Sequence, residues 1–138
     1  MNWIVYALLS ALFASLVAIF GKIGLKDIDS TLATAIRSIV MALFLVAVSF
    51  SLGKFSMLES VNSKTLFFII LSGIAGAISW LFYFFAIKIG PASAVAAIDK
   101  TSIAFVFILA LIFLGESFTY MKAGGALLVV LGALLMIL

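Results

Sequence analysis

Five long apolar stretches separated by short polar breaks dominate the sequence. They run over about residues 3–21, 31–52, 65–87, 92–114 and 118–138. A bilayer core about 30 Å thick is crossed by a helix of roughly 20 apolar residues, so each stretch is long enough to span. The stretches are rich in Leu, Ala, Ile and Phe and lack strand-like alternation, which favours helices over a β-barrel. We predict an all-α polytopic membrane protein, a bundle of five transmembrane helices.

The composition agrees with this architecture and excludes several functions. Of the 138 residues, 67% are apolar and 9% are charged, and five spans leave room only for short loops, so we predict one module over residues 1–138. Cysteine and histidine are absent, which removes thiol nucleophiles, disulfides and imidazole chemistry. We therefore expect no enzyme activity, no cofactor and no bound metal.

The charges indicate the kind of partner. Eight basic and five acidic residues are scattered singly along the chain, so the net charge of +3 forms no basic patch for nucleic acid. The expected partners are the lipid bilayer and a small-molecule substrate, and the expected location is the plasma (inner) membrane.

The breaks contain helix-capping residues. Ser30 or Thr31 is expected to cap the second helix, and Asn62–Ser63 the third. At Gly90–Pro91 a left-handed glycine can end one helix and proline suits the first turn of the next.

Asp99 and Lys100 are the most informative charges. A charge at the centre of a membrane helix costs about 2.5–3.5 kcal/mol. The apolar run after them, residues 103–114, contains 12 residues and covers about 18 Å, too little to span alone. The pair must therefore lie within the membrane, or the segment must be a half-span buried in protein. Both side chains are expected to face the bundle interior or a wet cavity.

Arg37 reaches a similar depth in the second span, because both helices start on the same side of the membrane. We predict that Arg37 and Asp99 interact directly or through a water. Such a pair either fixes helix packing or lines a transport cavity. Lys100 then either holds an anionic substrate or extends toward the membrane surface.

The third span has a mildly polar and aromatic face. Ser72, Gly76, Ser79 and Tyr83 recur at about 3.6-residue spacing with Trp80 alongside. Trp80 lies too deep for an interfacial belt, so it either packs against a neighbour or contacts a ligand through stacking or cation–π interaction.

Small residues indicate close helix packing. Glycines let membrane helices approach each other, and we assign this role to Gly73, Gly76, Gly125 and Gly132. A dimer interface along the fifth span is a second interpretation of the last two.

Basic residues set topology only weakly. Lys54, Lys64 and Lys122 lie near one side, and Lys22, Lys26 and Lys88 near the other. The sequence is compatible with dual insertion, or with a single orientation in which the second side is cytoplasmic.

The whole chain resembles the EamA module of the drug/metabolite transporter superfamily, in its short five-span branch. The resemblance rests on Gly90–Pro91–Ala92, on Leu114–Gly115–Glu116, and on the glycines 125 and 132 seven residues apart. It implies a transporter of small metabolites, in a fold where two oppositely oriented modules enclose a cavity. The charge-free first span before Lys22 offers no glutamate for the proton coupling used by four-span relatives.

Two functions follow as hypotheses. The first is a secondary transporter or exporter working as an antiparallel homodimer, because an odd span count lets two copies form an inverted repeat. Its predicted substrate-binding residues are Arg37, Asp99, Lys100, Trp80, Tyr83 and Ser79. The second is a non-transporting accessory or scaffolding subunit whose buried charges specify a partner helix. A channel is weaker, since no ring of like charge is apparent.

Overall fold

A computed structural model describes residues 2–138, and the described chain is helical throughout, with no strand. The elements are α1 (Trp3–Gly24), α2 (Ser30–Ser51), a 3₁₀ helix (Lys54–Ser60), α3 (Ser63–Ile89), α4 (Ala92–Asp99), α5 (Ser102–Phe113) and α6 (Tyr120–Leu135). The predicted all-α class is confirmed. The first three predicted spans correspond to α1, α2 and α3, with ends that differ by up to three residues.

Four segments are long and apolar enough to cross a membrane: α1, α2, α3 and the continuous stretch Ala92–Phe113. The chain is thus a multi-pass integral membrane protein with an all-helical fold. The fifth predicted span is shorter than expected, because α6 contains 16 residues and is about 24 Å long. The complete five-helix bundle therefore stays a proposal.

The fourth predicted span corresponds to the stretch Ala92–Phe113, within which the helix is divided into α4 and α5. α4 ends at Asp99, α5 begins at Ser102, and Lys100 and Thr101 join them. The amides of residues 100, 101, 103 and 104 donate to carbonyls three residues back, at 2.9–3.1 Å. These are 3₁₀ bonds, which tighten the backbone and commonly mark a hinge inside a longer helix.

The helix N-termini confirm the predicted cap of α3 and correct that of α2. Asn62 caps α3, because its Oδ1 accepts from the amide of Thr65 at 2.8 Å. The cap of α2 is Asp29 rather than Ser30 or Thr31. Its carboxylate accepts from the amides of residues 31 and 32 at 2.8 and 3.1 Å. A carboxylate also interacts favourably with the positive end of the helix dipole.

The predicted left-handed glycine at the end of the third helix is also wrong. Positive φ angles among the described residues occur at Gly53 and Gly115, not at Gly90. Pro91 is the extended residue that precedes α4, a conformation its ring favours. Gly115, with φ 65°, instead ends the α5 region, where a side chain would be strained.

The chain forms two compact units. One holds residues 24–88, with α2, the 3₁₀ helix and α3; the other holds α1 and residues 89–138. In the second unit α6 packs on both α4 and α5. The small alanines 94, 110, 126 and 133 are buried in these three helices, which lets the backbones approach closely.

Most large apolar side chains of the spans are exposed on the single chain. Phe44, Ile69, Phe105 and Leu128, one from each of four helices, are 57–70% exposed. A soluble protein rarely exposes apolar surface on this scale. Lipid acyl chains provide the missing cover, in agreement with the spans.

Candidate functional site

Arg37 of α2 stacks on an aromatic cluster of α3. Its guanidinium carbon lies 3.7 Å from the ring centroid of Trp80 and 5.6 Å from that of Phe84. Trp80 and Phe84 are one helical turn apart, so they present their rings on one side of α3. This arrangement is a cation–π interaction, worth about 0.5–2 kcal/mol depending on desolvation.

The predicted residues Trp80 and Tyr83 are both in this cluster. Their ring centroids are 5.3 Å apart with an edge-to-face geometry. Phe84 packs against Trp80 at 6.0 Å and against Tyr83 at 6.3 Å. Ser79, the residue before Trp80, is exposed instead. Its role in substrate binding stays a prediction.

Phe84 is a member of the cluster that was not predicted from the sequence. It is 4% exposed and is the most buried member of the cluster. Its position four residues after Trp80 and one after Tyr83 was the available signal. A phenylalanine among so many apolar residues does not stand out without a structure.

The charge of Arg37 has no carboxylate partner in its own unit. The ion pairs of residues 2–138 join Lys100 to Asp99 and Lys122 to Glu116. Within residues 24–88 the guanidinium therefore contacts rings and no acid. The predicted contact between Arg37 and Asp99 joins the two units and stays a prediction.

Asp99 and Lys100 form a second candidate cluster at the junction of α4 and α5. Lys100 Nζ lies 3.0 Å from Asp99 Oδ2, and the lysine and aspartate side chains are 56% and 38% exposed. Thr101 Oγ1 donates to the carbonyl of Ile98 at 2.7 Å. An ion pair and a backbone-bonded hydroxyl thus occupy three consecutive residues where the helix tightens, inside a segment long enough to span.

Two lysines stabilise chain turns, one in each unit. Lys22 Nζ donates to the carbonyl of Gly90 at 2.9 Å, next to Pro91. In the other unit Lys88 Nζ donates to the carbonyl of Ile28 at 2.7 Å. Both carbonyls lie outside helices, so the ammonium groups satisfy backbone acceptors that a helix would otherwise have paired.

The four glycines assigned to packing have open surroundings inside their own units. A β-carbon added at Gly73, Gly76, Gly125 or Gly132 would meet nothing within 4 Å. The neighbouring Ala126 and Ala133, also seven residues apart, are the buried residues of α6. The packing role of the glycines stays a prediction.

The family model described as EamA-like transporter family matches residues 1–138. The chain belongs to this family. A Sinorhizobium sp. protein named "Uncharacterized transporter in cobO 3'region" is 41% identical over 135 residues, which are 98% of this chain and 96% of the relative. That relative of the EamA-like chain is therefore of nearly the same length. No solved structure matches the chain significantly.

Family membership confirms the resemblance inferred from the Gly-Pro and Leu-Gly-Glu motifs and the paired glycines. In the structure these EamA-like motifs lie at helix junctions: Pro91 before α4, and Gly115 after α5. They frame the α4–α5 segment that carries Asp99 and Lys100.

Proposed function

We propose that this EamA-like chain is a secondary transporter or exporter of a small metabolite in the plasma membrane. The observation that supports it most is the charged pair at an interruption of a membrane-spanning helix. The proposed substrate-binding residues are Arg37, Asp99, Lys100, Trp80, Tyr83 and Ser79.

The junction at residues 100–101 suits a transport site. Its backbone amides stay paired with carbonyls three residues back, whereas the charged side chains of Asp99 and Lys100 need protein or trapped water around them at membrane depth. Discontinuous helices also hold substrates and coupling ions in many secondary transporters. Asp99 lies seven residues, or about 10 Å along the helix axis, from the start of α4, which would bring it into the hydrocarbon layer if the span begins at Ala92.

The working form in this proposal is an antiparallel homodimer of five-span modules, with α6 as the fifth span. Two observations support a second copy. Asp99 and Lys100 are partly exposed on a single chain, and lipid would solvate them poorly. Gly125 and Gly132 leave room on α6 for a neighbouring backbone. Two oppositely inserted copies would form the inverted repeat that alternating access uses.

Transport is tested with purified protein in liposomes and a panel of radiolabelled amino acids, organic acids and amines. We expect saturable uptake of at least one solute, reduced at least tenfold in Asp99→Asn and in Lys100→Met. Lys122→Gln is the control, because it removes a cation of a surface ion pair. Monodisperse variants with unchanged helix content ensure that a loss of uptake is not unfolding.

Absence of saturable uptake across the panel would contradict the proposal and favour the scaffolding subunit. Uptake that persists unchanged in both variants would remove the charged pair from the site.

A further inference from the structure

The Trp80 ring, which could have bound a cationic substrate, is already covered by the cationic side chain of Arg37. The guanidinium of Arg37 lies over this ring at 3.7 Å, and the edges of Tyr83 and Phe84 pack against it. A cationic substrate would have to displace Arg37 and would then meet its positive charge nearby. The geometry disfavours cationic substrates at this cluster.

The charge balance points the same way. Asp99 is neutralised by Lys100, whereas no acid of residues 24–88 pairs with Arg37. Burying a charge inside a membrane helix is costly, and a cation–π contact with one ring offsets part of that cost. Within residues 24–88 no carboxylate offsets the charge of Arg37, so the carboxylate of a bound substrate can take that place.

Stacking also leaves suitable hydrogen-bond donors. Arginine carries five N–H donors in its plane, and a ring below that plane competes with none of them. Among the described residues the guanidinium makes no side-chain hydrogen bond. A carboxylate can accept two parallel N–H bonds from such an edge.

We infer that the substrate is an organic monoanion whose carboxylate binds the N–H edge of Arg37, with Trp80 fixing the plane of the guanidinium. The word substrate rests on the proposed transport function; the carboxylate site itself does not. Arg37 is the only arginine of the chain, so the site contains one guanidinium per copy. The single positive charge of this guanidinium balances a carboxylate better than it balances a doubly charged phosphate.

Trp80 can report the binding. The chain has two tryptophans, so Trp3→Phe leaves Trp80 as the sole indole. We expect the Trp80 fluorescence of the Trp3→Phe variant in nanodiscs to change saturably with the concentration of phenylacetate. The uncharged isostere phenylacetamide and inorganic phosphate should require at least tenfold higher concentrations. Arg37→Gln should abolish the response to phenylacetate, Arg37→Lys should weaken it, and Lys54→Gln should leave it unchanged.

Chemical modification of Arg37 gives a second measurement of binding that does not depend on fluorescence. Phenylglyoxal reacts with arginine, and Arg37 is its one target side chain. Phenylacetate should slow the adduct seen by mass spectrometry at least threefold, while phenylacetamide should not. Equal effects of acid and amide, or no effect of either, would overturn the inference. Carboxylate binding without flux would overturn transport alone, and flux without acid-over-amide selectivity would overturn the carboxylate site alone.

Discussion

Arg37 carries its charge seven residues into α2, and the ring of Trp80 offsets only part of the cost of placing it there. Such a residue is retained against stability, which is typical of functional sites. The aromatic cluster of α3 partly solvates the guanidinium of Arg37 and also fixes its orientation. The same logic applies to Asp99 and Lys100, which neutralise each other at the helix junction.

Replacing Arg37 by methionine should therefore stabilise the protein while removing carboxylate binding. The charge costs about 2.5–3.5 kcal/mol at the centre of a span, whereas the cation–π contact returns about 0.5–2 kcal/mol, and methionine packs on rings. Thermal unfolding in detergent should show a higher midpoint for Arg37→Met and a lower one for Trp80→Leu, which leaves the charge without its ring. A lower midpoint for Arg37→Met would show that the charge is satisfied by stronger contacts than the rings.

Asp29 gives a pH dependence of stability. Hydrogen bonds from the backbone amides of Leu32 and Thr31 hold the pKa of the Asp29 carboxyl below its usual value of 3.8. The ionised cap therefore stabilises the folded state above that pH, and this contribution is lost as the pH falls further through the lowered pKa. The midpoint of unfolding should drop more between pH 6 and pH 3 for the wild type than for Asp29→Asn.

The asparagine variant keeps an acceptor for the same amides without a titrating group. Asp29→Ala loses the cap at every pH and serves as the reference. Identical pH profiles of wild type and Asp29→Asn would contradict the role of this carboxylate.

At the scale of elements, the apolar runs made the helices predictable because hydrocarbon thickness fixes span length. The charge cost of Asp99 and Lys100 also predicted that the fourth span could not be ordinary. The break itself was not predictable, since Thr101 and Ser102 follow without glycine or proline. The Arg37–Trp80 contact was missed because it depends on how α2 and α3 face each other, which neither helix encodes alone.

The 3₁₀ junction should exchange its amide hydrogens faster than the helix that follows. Bonds to carbonyls three residues back have poorer geometry, and a deficit of about 1 kcal/mol gives about fivefold faster exchange. Hydrogen–deuterium exchange in nanodiscs should show this difference between residues 100–104 and residues 106–112. Uniform protection along both segments would mean a continuous helix without a hinge.

At the scale of the whole molecule, a chain that exposes most of its apolar residues depends on lipid for cover, and the proposed homodimer would bury part of the same surface. The near tie in basic residues permits both orientations, which the antiparallel homodimer needs. Reporters fused to Leu138, active on opposite membrane sides, should both give signal. A single positive reporter would contradict the antiparallel arrangement.

The dimer prediction has a matched pair of variants on α6. Gly125→Leu and Gly124→Leu add the same side chain to adjacent positions that both have free space in the single chain. Surface changes of this kind alter folding by about 0.5 kcal/mol or less. Only Gly125→Leu should reduce the dimer fraction measured by light scattering, at least threefold. Equal dimer fractions would exclude the Gly125–Gly132 face as the interface.

The central claim is that the α4–α5 junction is a wet polar site inside the membrane. The chain lacks cysteine, so a single spin label can be placed at Thr101, at Val106, which is 63% exposed, or at Ser56 in the exposed 3₁₀ helix. In bilayers, collisions with a water-soluble nickel chelate should be intermediate at 101, above those at 106 and below those at 56. A label at 101 that matches 106 would place the junction in acyl chains, and one that matches 56 would place it in bulk water; either result would contradict the account.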